Sequence, residues 1–344
     1  MGGMGGWGRP SRRHLMAWDR NGFVAPRATG AALGCSDALD RELAAFIAEQ
    51  TEQTEQAEQA ARSATGVVAS VILDDRQWVG AAGELDADDE FWAWSASKLM
   101  TTALVHIAVL DRTLHLDQPA QRYLTRSLGP FATVTIRHLL AHRSGIVDYR
   151  SLPGLCGGET PVTPELAVAA ALARPPLHAP GVDTMYGSTN GLLLGEALEE
   201  TYGESFEALT ERLVLRPLGM DRSSMHHTLP GRPGGSTGGL LTTAGEFVVF
   251  VDAWLGSATV ERPRFVAHLR RSIGPDGVGE GVLGFPRGAG GPDWIGYHGA
   301  HTLALFDPDR RVSVVVHTDR PLHGRRGIGG AVHALADRLA ALAA

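Results

Sequence analysis

Hydrophobic positions are concentrated in short segments near both ends of the chain. GVVASVILDD (66–75) and QWVGAAGEL (77–85) are two such segments, separated by a polar turn. Three more follow toward the C-terminus, WIGYHGA, TLALFDP and RVSVVVHTD, and the last two are joined by a turn at 308–310. Short apolar segments bounded by turn residues are typical of strands. The pattern therefore predicts a sheet whose strands come from both ends of the chain.

Helical spacing of the apolar positions dominates the middle of the chain. A helix is predicted from about Ser95 to Leu110, within FWAWSASKLMTTALVHIAVL. Other helix signals are the N-cap Thr163 followed by Pro164, the stop at Gly203, the capping box of Thr243 with Glu246, and the apolar segment from about Ala331 to Ala343. These elements predict a sheet domain from residues 37–94 and 235–344 around a mostly helical domain, residues 95–234.

The N-terminal segment has a different character. Residues 1–36 are predicted to be a disordered leader, and the repeated x-E-Q triplets at 48–59 a solvated helix end or linker. SRRHLM (11–16) and AALGC (31–35) resemble parts of export signals, but charged residues and Pro26 interrupt the apolar segment such signals need. A cytoplasmic location is the default, and export is the alternative.

Composition narrows the classes of partner. The chain has 344 residues, 44% of them hydrophobic, and a formal net charge of −7 with no basic block. This gives no footprint for nucleic acid, and no run approaches the roughly 18 apolar residues of a membrane-spanning helix. Cys35 and Cys156 are too few for a disulfide framework. We expect a small-molecule or peptide substrate, no nucleic-acid partner and no integral membrane segment.

Candidate chemistry begins at the only lysine, Lys98, among 31 cationic side chains. Ser95 precedes it by three residues, a spacing that puts both side chains on one face of a helix. A buried lysine can lose its proton and act as a base, whereas arginine stays charged in a protein. Lys98 is therefore a candidate base and Ser95 a candidate nucleophile.

An ordered set of segments supports this hypothesis. LHLDQPAQRYL, VTIRHLLAHRSGI, MYGSTNGLLLGEALEE, LRPLGM, GGLLTTAGEF and YHGAHTLALFDPDRRVSVVVH follow the S-x-x-K segment in the chain. Their order resembles that in the beta-lactamase-related serine hydrolases, a group of class C beta-lactamases, DD-peptidases and esterases, over about residues 65–340. The resemblance implies an α/β (α+β) beta-lactamase-like fold: an antiparallel sheet flanked by N- and C-terminal helices, an all-helical insertion, and an active site in the cleft between them.

The same resemblance implies roles for individual residues. Ser95 is the acylated nucleophile, Lys98 its base, and Tyr186 the tyrosine of the Y-x-N motif that relays the proton to the leaving group. His298 takes the first place of the K/H-x-G motif and bonds Tyr186 or the substrate. The backbone N–H groups of Ser95 and His301 form the oxyanion hole. No metal or organic cofactor is implied.

Two departures from the family pattern bear on the substrate. Ser188 replaces the asparagine of Y-x-N, with Asn190 two residues on, and Ala300 follows Gly299 where the family usually has glycine. These four residues are the candidate substrate contacts. Because serine is shorter than asparagine, it contacts a substrate amide less well, which argues against efficient turnover of lactams or peptides.

The expected activity is that of an esterase or a D-amino-acid-specific peptidase, such as a D-alanyl-D-alanine carboxypeptidase, with weak beta-lactamase activity at best. The substrate is an ester, an amide or a peptide. One alternative is a transpeptidase or peptide cyclase of the same fold, and another is a sensor domain that is acylated without turnover. The oligomeric state stays open.

Two rival motifs are also present. GGSTG (234–238) matches the G-x-S-x-G of α/β-hydrolases and would make Ser236 the nucleophile, but a proline-containing loop precedes it where that motif needs a buried strand. His138 and His142 have metal-ligand spacing, but HLLAH lacks the glutamate of H-E-x-x-H, which favours structural histidines.

Overall fold

The computed structural model describes most of the chain from Cys35 onward. The described ranges are 18–19, 22–23, 35–52, 64–74, 76–156, 162–229, 231–256, 262–286, 294–320, 323–324, 327–328 and 330–343. The predicted leader 1–36 and the x-E-Q triplets therefore lie largely outside the described residues.

A six-stranded sheet is the centre of the fold. Its order is β10-β11-β12-β13-β3-β4, and every neighbouring pair is antiparallel. The strands are β1 Trp18–Asp19, β2 Gly22–Phe23, β3 Gly66–Leu73, β4 Arg76–Gly83, β5 Phe91–Trp92, β6 Ser224–Met225, β7 Thr228–Leu229, β8 Arg232–Pro233, β9 Leu240–Thr242, β10 Leu283–Phe285, β11 Trp294–His298, β12 Thr302–Asp307, β13 Val312–Thr318, β14 His323–Gly324 and β15 Gly327–Ile328. The five predicted strands are confirmed as β3, β4, β11, β12 and β13.

Helices fill the chain between β4 and β10 and stand at both ends. They are α1 Ser36–Glu52, α2 Lys98–Leu110, α3 Ile136–Leu140, α4 Pro164–Leu172, α5 Ser188–Tyr202, α6 Phe206–Thr210, α7 Arg216–Leu218, α8 Ala244–Val251, α9 Arg262–Ser272 and α10 Gly330–Ala343. The predicted helix at Ser95 is confirmed, although its first turn, Trp94–Ser97, is a 3₁₀ turn.

The central sheet is buried on both faces. Successive side chains of a strand point to opposite sides of the sheet, and each side packs against a separate hydrophobic cluster. Val67 and Val314 face one side and pack with Leu39 of α1 and Leu335 of α10. Val68 faces the other side and joins the core that contains α2, α5 and α8. The sheet thus separates the two terminal helices from the helices of the middle of the chain, which is the layered antiparallel arrangement that the sequence predicted.

Residues 66–83 and 283–318 supply the strands of the central sheet, whereas residues 98–272 are mainly helical. On this distribution we propose the division of the chain into a sheet domain, residues 37–94 and 235–344, and a mostly helical domain, residues 95–234. Within the described residues, no helix combines the length and apolarity needed to cross a membrane.

Candidate active site

Ser95 lies in the 3₁₀ turn that leads into α2, close to the end of β11. Trp94, directly before it, has a left-handed φ of 51°, a conformation that non-glycine residues adopt at an energetic cost and that occurs at active sites. Gly299 permits the close approach of the strand end, because a Cβ there would lie 2.3 Å from the Ala93 carbonyl oxygen. The backbone therefore places the end of β11 beside Ser95.

The amine of Lys98 is buried at the base of this turn. Lys98 is 4% exposed. Its Nζ lies 3.3 Å from Ser95 Oγ, 3.3 Å from Ser188 Oγ and 2.9 Å from the carbonyl oxygen of Thr237. Burial lowers the pKa of Lys98 from its ordinary value of 10.5, since desolvation penalises the charged form. The structure thus brings together the two residues that the S-x-x-K spacing singled out.

Tyr186 completes the group. It lies in the loop before α5, with Lys98 Nζ 5.3 Å from the centre of its ring. Burial acts to raise the pKa of Tyr186, but the charge of Lys98, hydrogen bonds with Ser95 and Lys98, and the charge of Arg150 together lower it below 10.0. Ser95, Lys98 and Tyr186 therefore form one hydrogen-bonded unit through which a proton can move.

A second tyrosine, Tyr297 of β11, supports Tyr186 from behind. Its hydroxyl is hydrogen-bonded to Tyr186 and lies 2.9 Å from Nε2 of His142. The Gly187 N–H donates to Nδ1 of His142, so Nδ1 is the acceptor and Nε2 carries the proton of the neutral ring. His142 therefore donates to Tyr297, and Tyr297 donates to the Tyr186 oxygen.

His298 is placed differently from expectation. It lines the cavity above Ser95, but its ring packs edge-on against Phe285, and its Nδ1 is nearest the Gly299 carbonyl oxygen, at 3.4 Å. The expected contact with Tyr186 is made by Tyr297, one position earlier. A signal for this was available: starting the K/H-x-G motif at residue 297 puts Gly299 in its third place, whereas starting it at 298 puts alanine there.

The turn after β11 also differs from the expectation. The Gly299 N–H donates to the Thr302 carbonyl over 2.7 Å, which makes 299–302 a tight hairpin. Gly299 and Ala300 line the cavity, whereas the His301 ring stacks between Trp94 and His317 and is not among the lining residues. The expected His301 N–H is therefore replaced by the Ala300 N–H as our candidate for the second oxyanion donor.

Ser188 and Asn190, two of the three polar residues of the STN segment, have different environments. Ser188 lines the cavity and contacts Lys98. Asn190 is 0% exposed and bonds inward, with Oδ1 2.6 Å from Ser144 Oγ and Nδ2 3.2 Å from His142 Nδ1. The expectation that Asn190 contacts substrate was wrong, because at the first turn of α5 its side chain points to the core behind Tyr186.

The cavity above Ser95 has a volume of about 240 Å³. It is lined by Trp94, Ser95, Tyr149, Arg150, Tyr186, Ser188, Leu229, Arg232, Pro233, Thr237, Gly238, His298, Gly299 and Ala300. Sequence reasoning missed Tyr149, Arg150 and Arg232, since none of them belongs to a motif and only the fold brings their segments to Ser95. It also gave no role to Thr237, which lies within the GGSTG segment.

The rival motifs do not build a second site. Ser236 is 4% exposed and packs against Gly195 of α5, outside the cavity lining. His138 forms a capping box with Thr135 at the start of α3, and His142 bonds Tyr297. Among the described residues, no group of three or more His, Cys, Asp or Glu side chains is arranged to hold a metal ion. Each of the two histidines thus has a hydrogen-bonding role within the described protein.

Residues 51–337 match the model of the protein family described as Beta-lactamase. This match covers most of the chain and includes every residue of the site described above.

Solved structures share the fold. D-amino acid amidase from Ochrobactrum anthropi SV3 has a TM-score of 0.71 at 20% identity, over 88% of this chain and 98% of that one. The D-stereospecific amidohydrolase from Streptomyces sp. has 0.67 at 21%, over 85% and 96%. The octameric penicillin-binding protein homologue from Pyrococcus abyssi also has 0.67 at 21%, over 88% and 77%. The beta-lactamase-like fold predicted from the sequence is confirmed.

Proposed function

The chain belongs to the beta-lactamase family of serine hydrolases, and we propose that it hydrolyses esters and D-amino-acid peptides through an acyl-enzyme on Ser95. One observation carries this proposal: the amine of Lys98, buried and with a lowered pKa, lies 3.3 Å from Ser95 Oγ. A lysine of this kind is able to accept the proton of the attacking hydroxyl.

In the first half of the reaction Ser95 Oγ attacks the carbonyl carbon, and its proton passes to the Lys98–Tyr186 pair. The carbonyl oxygen becomes an oxyanion, held by the backbone N–H groups of Ser95 and Ala300. The bond to the leaving group then breaks, and its nitrogen or oxygen takes a proton from Tyr186.

In the second half a water molecule takes the place of the leaving group. Its proton goes to the same Lys98–Tyr186 pair, its oxygen attacks the acyl carbon, and the bond to Ser95 Oγ breaks. The proton returns to Ser95, the carboxylic acid leaves, and the starting state is restored.

The names of two structural neighbours support a D-amino-acid substrate, because both refer to D-stereospecific amide hydrolysis. Ser188 supports weak activity at best toward beta-lactams. It stands where the family has asparagine, and its shorter side chain, whose Oγ accepts a hydrogen bond from Lys98, reaches a lactam side-chain amide less well.

The decisive experiment is intact-protein mass spectrometry after exposure to a fluorophosphonate and, separately, to a penicillin, with mapping of the modified residue. We expect stoichiometric labelling of Ser95 by the fluorophosphonate and slow labelling by the penicillin. Ser236→Ala is the matched control and should label normally, whereas Ser95→Ala should not label. An adduct on Ser236 would overturn the proposal.

Turnover is tested separately with a chromogenic ester. Steady release beyond one equivalent supports a hydrolase, whereas a single stoichiometric burst supports an acylated sensor. Adding a D-amino acid as acceptor and finding peptide products in place of free acid would support acyl transfer over hydrolysis.

A further inference from the structure

A second cation lies close to the ring of Tyr186. Arg150 belongs to the 3₁₀ turn Tyr149–Ser151 and lines the cavity above Ser95. The central carbon of its guanidinium is 5.5 Å from the centre of the Tyr186 ring, and Lys98 Nζ is 5.3 Å from the same point. Tyr186 therefore has two positive charges beside its ring, and Arg150 is the one that lies outside the S-x-x-K motif.

Asp148 fixes Arg150 in this position. Nε and a terminal nitrogen of Arg150 lie 2.8 and 2.7 Å from Asp148 Oδ2. The other carboxylate oxygen, Oδ1, accepts hydrogen bonds from the backbone N–H groups of Arg150 and Ser188, each over 3.2 Å. Ser188 begins α5, two residues after Tyr186. One carboxylate thus ties the guanidinium to the segment that carries Tyr186, and these charge-assisted bonds restrict its orientation.

Two neutral groups also face Tyr186. The centre of the His142 ring is 4.6 Å from that of Tyr186, and the ring is uncharged at ordinary pH because burial lowers its pKa to about 3. The Tyr297 hydroxyl stays protonated, because burial raises its pKa well above 10.0. Lys98 of α2 and Arg150 are therefore the charged groups whose fields act most directly on the Tyr186 oxygen.

Arg150 and Lys98 differ in a respect that matters for proton transfer. Lys98 must lose its charge to act as a base, whereas a guanidinium keeps its charge in a protein. Burial raises the pKa of Tyr186, but the charge of Lys98, hydrogen bonds and the charge of Arg150 hold it below 10.0. Burial lowers the pKa of Lys98, and Arg150 lowers it further, whereas Tyr186 and Asp148 act to raise it. Arg150 is thus the positive charge that persists beside Tyr186 when Lys98 is neutral.

We propose that Arg150, held by Asp148, is a positioning residue for the hydrolytic reaction: its permanent charge favours the deprotonated Lys98–Tyr186 pair that accepts the proton of Ser95. A nearby cation stabilises a phenolate and a neutral amine relative to their protonated forms. The inference rests on the proposed function and adds to it a residue that acts through Tyr186. Without Arg150 the pair binds its proton more tightly, and a smaller fraction of the enzyme is ready to be acylated at neutral pH.

The kinetic test measures kcat/KM for an uncharged chromogenic ester as a function of pH. In Arg150→Gln we expect the acidic limb of the profile to move to higher pH by about one unit, the low end of the effect of a charge at this distance, because Asp148 offsets part of the Arg150 charge. On that limb kcat/KM falls about tenfold, and it recovers toward the wild-type value as the pH rises. Arg150→Lys keeps a cation and should leave the limb close to its wild-type position. A lowered plateau with an unmoved limb would show that Arg150 acts by packing or by substrate contact and would overturn the inference.

A second variant guards against a folding failure, because Arg150→Gln leaves the Asp148 carboxylate without its guanidinium. Asp148→Asn combined with Arg150→Gln removes both charges and keeps an acceptor for the Ser188 N–H. We expect its acidic limb to move in the same direction by a smaller amount, since Arg150 acts on the pKa of Lys98 more strongly than Asp148 does. A limb that does not move to higher pH in this variant would contradict the proposal.

The absorbance of tyrosinate tests the same relationship without turnover. The full chain and its Tyr186→Phe variant are titrated without substrate, and the difference between the two curves gives the ionisation of Tyr186. This difference curve should move to higher pH in Arg150→Gln. It should stay in place in Arg232→Gln, the matched control, because Arg232 lines the same cavity but stacks on Trp94 at 4.0 Å from the ring centre. An equal shift in both variants would show a general effect of cavity charge and would overturn the specific role of Arg150.

The kinetic and spectroscopic measurements distinguish a failure of the proposed function from a failure of this inference. If no ester is hydrolysed but the Tyr186 curve shifts in Arg150→Gln, the proposed hydrolysis fails and the electrostatic relationship between Arg150 and Tyr186 stands. If esters are hydrolysed and neither the acidic limb nor the Tyr186 curve shifts, the hydrolase stands and the role of Arg150 is refuted.

Discussion

The hydroxyl of Tyr297 lies 2.9 Å from Nε2 of His142, although the two residues are 155 positions apart in the chain. Burial lowers the pKa of His142 to about 3, so its ring is neutral at ordinary pH and donates through Nε2. The Tyr297 hydroxyl in turn donates a hydrogen bond to the Tyr186 oxygen. A neutral chain of donors thus supports Tyr186 where the family motif usually supplies a lysine or histidine.

Replacing Tyr297 by phenylalanine tests this positioning role. The variant loses the hydrogen bond that favours the deprotonated form of Tyr186, so the pKa of Tyr186 rises. We expect kcat/KM to fall about 3- to 10-fold and the acidic limb of its pH profile to move to higher pH. Tyr123→Phe removes a hydroxyl outside the cavity and should change neither. An unshifted pH profile in Tyr297→Phe would limit Tyr297 to packing.

Lys98→Arg should abolish turnover while retaining a positive charge. The guanidinium cannot accept the Ser95 proton, so we expect kcat/KM to fall by roughly 10³-fold or more, in the range of losses seen when a catalytic base is removed. Turnover of a chromogenic ester measures the complete reaction, and the rate of fluorophosphonate labelling measures the reactivity of Ser95 alone. Near-normal turnover in this variant would refute the role of Lys98 as the base.

Stability should decrease as the pH falls below neutrality. Burial lowers the pKa values of His142 and His317 from 6.5 to about 3. Between pH 3 and pH 6.5 these histidines are protonated in the unfolded chain and neutral in the folded protein. Their contribution to the free energy of unfolding is therefore complete above pH 6.5 and is lost as the pH falls toward 3. Each histidine contributes a slope of about 1.4 kcal/mol per pH unit.

Urea unfolding at several pH values measures this slope. His317 stacks on Phe91 and bonds Thr302, away from the cavity lining, so His317→Gln should flatten the slope while Ser95 remains reactive. His115→Gln, at an exposed histidine, should leave the slope as it is. A free energy of unfolding independent of pH between 6.5 and 4 would contradict the account.

Local spacing allowed part of the site to be predicted, and the fold alone decided the rest. Ser95 and Lys98 lie one helical turn apart, so their contact follows from helix geometry. Tyr297 reaches Tyr186 from β11, and Arg232 reaches the cavity from β8. Their positions depend on strand register and a loop path that no local pattern encodes. Asn190 is the opposite case: it lies close to a motif in the sequence, but its position on α5 turns its side chain into the core and away from the cavity.

A buried carboxylate far from the motifs gives the last prediction. Asp252 follows α8 and accepts a hydrogen bond from Ser313 Oγ over 2.9 Å. Burial raises its pKa from 3.8 to about 6, so the folded state holds this proton more tightly than the unfolded state, and stability is lost as the pH rises from about 4 to 6. Above pH 6 the ionised carboxylate destabilises the fold by an amount on the order of 3 kcal/mol.

Asp252→Asn removes that charge and keeps an acceptor for Ser313. We expect a higher melting temperature than wild type at pH 8, by several degrees, and little difference at pH 4. Asp309→Asn changes an exposed carboxylate that pairs with Arg270 and serves as the control, with no gain at either pH. A gain for Asp252→Asn that is equal at pH 4 and pH 8 would show that packing and not ionisation is responsible.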